Sequence, residues 1–216
     1  MSQELDLKQI EAKAWRSVFQ DGLWDIYLGL LLLLMGGGDL LDRLNLPESG
    51  RIAIYIGLQI LAMLVLWTGK RFITLPRMGR VKFGPERKAR QHKVVLILFG
   101  SVILGMVMWL IASAVSNGWA AGLPWMALFP AIYALNVLAV FGLAAYLFQF
   151  ERLYLIAVLF ALPVPVDALV RAWLGIRLGF WAFAVPALII LAMGVILLMR
   201  FLRDYSVPVE DDNERG

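Results

Sequence analysis

The chain has 216 residues, 61% of them hydrophobic and only 17% charged, with a mean hydropathy of +0.77 and a formal charge of +4. That balance is too apolar for a water-soluble domain and places the protein in the membrane class. The absence of cysteine excludes disulfides, thiolate metal sites and cysteine nucleophiles, and the single histidine, His92, leaves no material for a histidine-based catalytic or metal site, so no cofactor is expected.

Residues 1–21 place Leu7, Ile10, Ala14 and Val18 at helical spacing with charged residues elsewhere around the turn, which predicts a short interfacial amphipathic helix. No signal-peptide pattern precedes the first apolar run, so that run is expected to remain as a span. Residues 22–69 are expected to hold the first two spans. The uncharged stretch from Ile26 to Gly38 is too short for a ~30 Å hydrocarbon core, which needs about 20 residues. A helix crossing here must bring Asp25 or Asp39 to the edge of the hydrocarbon. Asp21 and Asp25 stand four apart and share a helical face in the first turns, where the positive end of the helix dipole favours a carboxylate. They are read as structural, ion-pairing residues, with a ligand role for an ion or headgroup as the alternative. The second span runs from Ile52 to about Thr68.

Residues 70–93 form the segment that cannot lie in hydrocarbon, with nine Lys and Arg against the single acid Glu86. It is expected to be a cytoplasmic loop between helices 2 and 3, since Lys and Arg are retained on the cytoplasmic side. Arg77, Arg80, Lys82, Arg87, Lys88 and Arg90 are its candidate contacts to anionic headgroups or a partner, and Arg77, Arg80 and Lys82 are the expected partners of Asp25. Phe72–Leu75 and Arg80–Phe83 flank Pro76-Arg77-Met78-Gly79, a pattern compatible with a small hairpin.

Residues 94–202 are expected to hold four more spans. No charge occurs between Lys93 and Glu151, so this run must contain two helices, about Val94–Ala114 and Pro124–Phe148, parted by the turn formers at Ser116–Pro124. Ser101 with Gly105, and Ala127 with Ala131, are small-residue pairs at close-approach spacing. The fifth span starts at Leu153 and meets Pro163-Val164-Pro165, with Asp167 and Arg171 four apart just beyond. This is read as a kinked helix with a local ion pair, and the alternative is a transport site formed by Pro163, Pro165, Asp167 and Arg171. The sixth span is Leu178–Met199, and residues 203–216 are an acidic tail expected to be disordered. In this arrangement sixteen of the twenty Lys and Arg lie inside and four outside, which favours an all-α integral membrane protein with six transmembrane helices, both termini in the cytoplasm.

Two stretches carry a resemblance: Gln20-Asp21-Gly22-Leu23-Trp24-Asp25-Ile26-Tyr27-Leu28-Gly29, and Thr74-Leu75-Pro76-Arg77-Met78-Gly79-Arg80-Val81-Lys82-Phe83. They resemble an uncharacterised family of small bacterial polytopic membrane proteins with a D-G-L-x-D-I-x-x-G first span and a T-Y-P-R-x-G-Y-V-K-F basic loop. Leu75 and Arg80 stand where that pattern has aromatic residues. The resemblance implies a bacterial inner-membrane location and carries no activity.

No phosphate loop, metalloprotease, nucleophile-elbow or dinucleotide motif is present. The expectation is therefore a non-enzymatic inner-membrane scaffold, sensor or accessory protein that binds anionic lipid headgroups or a protein partner, with self-association open and no nucleic acid involved. The alternative is a small transporter or channel using Asp25, Asp167 and the proline break. A lipid-acting enzyme is third.

Overall fold

The computed structural model describes residues 19–44, 46–78, 95–101, 103–107, 110 and 125–205. Its described residues are helical and contain no strand. Four helices are long and apolar enough to cross a membrane, Glu48–Arg77, Leu128–Phe148, Arg152–Leu174 and Phe180–Asp204, and two shorter apolar helices lie at Leu23–Gly36 and Val95–Val107. The expected interfacial helix lies outside the described residues except for 19–21, as do most of the basic segment and the acidic tail beyond Tyr205.

The chain divides into two compact units, Met1–Lys82 with Ala187–Gly216, and Phe83–Pro186. The first contains α1 (Leu23–Gly36), the single turn α2 (Gly38–Asp42) and α3 (Glu48–Gly69). It also holds a π-helical turn at Lys70–Thr74, the single turn α4 (Leu75–Met78) and most of α9 (Phe180–Asp204). Gly37 separates α1 from α2, and together the two helices reach Asp42. Asp42 there pairs with Arg51 in the first turn of α3.

Two expectations change at the end of α3. The second span was drawn to stop near Thr68 with a loop from Lys70, yet the chain stays helical through Met78, so Phe72–Leu75 is helix and not one arm of a hairpin. Arg80–Phe83 lies outside the described residues. The reason is visible in Pro76. A proline inside an α-helix has no N–H to give and its ring crowds the carbonyl four residues back. The backbone widens just before it, so that the Leu75 N–H donates to the Lys70 carbonyl five residues earlier, and the helix passes the proline instead of ending.

The second unit contains α5 (Val95–Val107), α6 (Trp125–Phe148), α7 (Arg152–Ala161) and α8 (Pro163–Leu174). The face of α7 made of Leu153, Ile156, Ala157, Phe160 and Ala161 is buried, together with Val140, Ala144 and Ala145 of α6. The Phe141 and Phe160 rings meet at 4.9 Å between centres with their planes tilted by 33°. The proline break at Pro163-Val164-Pro165 is shallow. Leu162 keeps helical backbone angles, and Val166 N–H still donates to the Leu162 carbonyl at 3.0 Å. What the two prolines remove is donors, leaving the Leu159 and Ala161 carbonyls without a partner four residues on. Between them, the Tyr133 hydroxyl of α6 donates to the Phe160 carbonyl at 3.1 Å. The Asn136 amide, one turn along α6, donates to the Ser101 hydroxyl of α5 at 3.1 Å. Polar side chains thus tie the second unit together where lipid offers no hydrogen bonds.

The α6–α7 connection takes one residue through the left-handed region. Gln149 has φ 55°, and the Phe150 N–H reaches back to the Ala145 carbonyl at 3.0 Å, the pattern of a Schellman cap. Glycine is the residue that adopts this conformation without a Cβ clash, which costs other residues about 1–2 kcal/mol. Gln149→Gly is therefore expected to raise the stability of the detergent-solubilised protein by about 1 kcal/mol, read as an increase in thermal midpoint.

Candidate functional site

Local sequence dictates how the first helix begins. Gly22, at φ 73°, turns the chain into α1, and the Asp21 carboxylate accepts the Leu23 N–H at 3.2 Å, satisfying one of the donors a helix start leaves open. The same carboxylate reaches across to the end of α3. Its second oxygen accepts the Lys70 ammonium at 2.6 Å and the Thr74 hydroxyl at 2.5 Å. Lys70 and Thr74 are the first and last residues of the π turn, so the widening caused by Pro76 delivers both donors to one oxygen.

Asp21 is fully buried, and so is Asp25, one turn further along the same face. Asp25 acts electrostatically on the same Lys70 ammonium. An ammonium and two carboxylates in a poorly solvated place interact several-fold more strongly than at a water-exposed surface. The cluster is sealed by close helix packing on both sides. A side chain at Gly69 of α3 would meet Leu23 at 2.8 Å, one at Gly29 would meet Leu191 of α9 at 2.7 Å, and one at Gly194 of α9 would meet Ile26 at 2.8 Å. At Gly29 and Gly194 the opposing backbone is itself in the way, whereas at Gly69 only the end of the Leu23 side chain would have to shift, so α1 packs closely between α3 and α9 with its carboxylates on the inside.

Arg77 completes the arrangement from α4. Its guanidinium donates to the Ile73 carbonyl and to the Tyr205 carbonyl, both at 3.0 Å, which fastens the end of the α3–α4 helix to the end of α9. Arg71 leaves the cluster in the other direction and lies 5.1 Å over the exposed Trp67 ring, a cation–π contact on the outer face of α3.

Asp21 takes Lys70 and Thr74, and Arg77 spends its donors on backbone carbonyls. Arg80, Lys82, Arg87, Lys88 and Arg90 lie outside the described residues. The sequence offered Lys70 as the charge ending the uncharged run of the second span, and Thr74 as the residue four further on. Neither was assigned to Asp21, since both were placed in a loop. The small-residue pairs chosen as close approaches were also the wrong ones in part. A side chain at Gly105 would meet nothing, and the tight contacts fall at Gly29, Gly69 and Gly194.

The second candidate cluster lies at the end of α8. One oxygen of Asp167 accepts the Leu178 and Gly179 N–H groups at 2.9 and 3.1 Å, and the other pairs with Arg171. Pro163 is buried at the start of α8 and Pro165 lies half-buried two residues before Asp167. The structure therefore brings Asp167 and Arg171 together with the turn leading into α9, and the carboxylate holds that turn in place.

Among the described residues no group of three or more His, Cys, Asp or Glu is placed to hold a metal ion. Compared with known proteins, the chain matches no family model, no curated protein and no solved structure.

Removing one member of the Asp21–Lys70 pair leaves a buried charge without compensation, which costs roughly 3–5 kcal/mol, whereas removing both is far milder. Lys70→Met is accordingly expected to lower the thermal midpoint sharply and Asp21→Leu/Lys70→Met to recover much of the loss in a double-mutant comparison. Gly194→Leu, which forces a side chain into Ile26, is expected to separate α1 from α9 and to be at least as damaging as Lys70→Met in the same measurement.

Proposed function

We propose that the protein is a multi-pass protein of the bacterial inner membrane, with six spans and both termini in the cytoplasm. In this reading it is a non-enzymatic scaffold, sensor or accessory protein whose basic cytoplasmic face holds anionic lipid headgroups or a partner. Helix lengths support the membrane placement. Arg51 and Lys70, Arg152 and Arg171, and Trp181 and Arg200 are each nineteen residues apart on their helices, ~28 Å of helical rise, close to the thickness of a hydrocarbon core. The two shorter apolar helices supply the remaining spans.

The observation that carries the functional reading is the capture of Asp21 by Lys70 and Thr74. With Asp21 turned inward, the exposed charge among the described residues there is mostly basic, with Arg71, Arg200 and Arg203 against Asp204, which pairs with Arg203. The sequence continues the excess through Arg80, Lys82, Arg87, Lys88 and Arg90. Each such residue adds about 1 kcal/mol of attraction to an anionic surface. The transporter alternative would need Asp167 available to a substrate. Both of its oxygens are engaged by Arg171 and two backbone N–H groups, which weighs against that alternative.

Reconstitution in nanodiscs of mixed phosphatidylcholine and phosphatidylglycerol, followed by native mass spectrometry of the lipids retained on the released protein, tests the proposal. Phosphatidylglycerol is expected to be enriched. The variant Arg80→Gln/Lys82→Gln/Arg87→Gln/Lys88→Gln/Arg90→Gln is expected to lose that enrichment by about tenfold or more. Equal retention of the two lipids by the unaltered protein would refute it.

A further inference from the structure

The far end of α8 carries a surface that the cytoplasmic reading does not use. Seven consecutive residues, Arg171 to Arg177, are exposed, and Trp173 is 85% accessible. Such exposure of tryptophan, Leu174 and Ile176 in a mobile loop would mean little. This turn is fixed. Gly175 closes α8 in the left-handed conformation, with its N–H on the Arg171 carbonyl, and Asp167 takes the two N–H groups of Leu178 and Gly179 that precede α9. The apolar side chains are therefore presented to the surroundings by design of the backbone.

What surrounds them follows from the helices on either side. Leu155, Val158, Leu162, Val166, Leu169 and Trp173 are all exposed and recur every three or four residues, forming one stripe along α7 and α8 that the proline break does not interrupt. On α9, Trp181, Val185, Leu188, Val195 and Met199 form another. Stripes of this length and composition lie in hydrocarbon, and both end in tryptophan, the residue that prefers the glycerol and headgroup level. Arg177 sits in the turn between the two tryptophans, exposed and with no ion pair among the described residues. The acid nearest to it in the chain, Asp167, is already committed to Arg171 and the backbone.

We propose that this turn is a phospholipid-headgroup site of the outer leaflet, in which the Arg177 guanidinium binds the lipid phosphodiester while Trp173 and Trp181 lie against the glycerol and upper acyl chain of the same molecule. A guanidinium matches a phosphate with two parallel hydrogen bonds, and that pairing strengthens where water is scarce. The N-terminus of α9 does not provide the anion site, since Asp167 occupies its leading N–H groups. Because the recognised group is the phosphodiester, the site takes zwitterionic and anionic phospholipids alike. It rests on the spanning arrangement proposed above and not on the basic cytoplasmic face.

The chain has no cysteine, so Ile176→Cys gives a unique position for a spin label. In nanodiscs of phosphatidylcholine the label is expected at the phosphate level, with weak collision with a water-soluble nickel complex; free collision, as for a label in solution, would overturn the proposal. In native mass spectrometry Arg177→Gln is expected to reduce the occupancy of the last retained phosphatidylcholine about tenfold, with Arg177→Lys intermediate and the thermal midpoint unchanged. Undiminished occupancy in Arg177→Gln would overturn the site. Neither result depends on enrichment of phosphatidylglycerol, so failure here and failure of the cytoplasmic reading are told apart.

Discussion

A carboxylate leaves water only when its surroundings return the hydrogen bonds and counter-charge that water supplied. Asp21 is where the first unit meets that condition, and much of the unit's geometry serves it. One oxygen receives the start of α1; the other receives an ammonium and a hydroxyl from the end of α3. The widened turn before Pro76 brings the Thr74 hydroxyl beside the Lys70 ammonium, and close glycine crossings pack the helices around the acid. A widened helical turn, close packing and charge pairing thus meet at one carboxylate.

The same economy governs the second unit, where the contact beside the proline break is a neutral one. Two prolines strip donors from the Leu159 and Ala161 carbonyls, and between these the Tyr133 hydroxyl of α6 donates to the Phe160 carbonyl. Where lipid provides no competitor for hydrogen bonds, such neutral contacts fix the helices in register. Asp167 shows how an acid can serve at a helix end with less burial, since two backbone N–H groups and Arg171 share its charge.

The helical class, the apolar runs and the pairing of Asp167 with Arg171 could be read directly from the sequence, because length of uncharged run and i,i+4 spacing are local properties. The capture of Asp21 by Lys70 could not, since it joins residues 49 apart in the chain. Lys70 was masked by its neighbours: in a stretch with nine cations, the first one looks like the start of a loop. Pro76 misled for a related reason. Read alone it signals a turn, and only the π-helical detour shows that the helix absorbs it. The glycine crossings were equally hidden, because Gly105 and Gly194 look alike until the opposing helix is in place.

The π turn also has a geometric consequence for everything that follows it. One extra residue in a helix rotates the downstream part by about 100° around its axis. Without it, Arg77 would point away from α9 and could not reach the Tyr205 carbonyl. The five residues Lys70–Thr74 therefore act as an angular adjuster. The length of this turn, and not its composition, decides how the helical turn Leu75–Met78 that follows it is rotated about the axis.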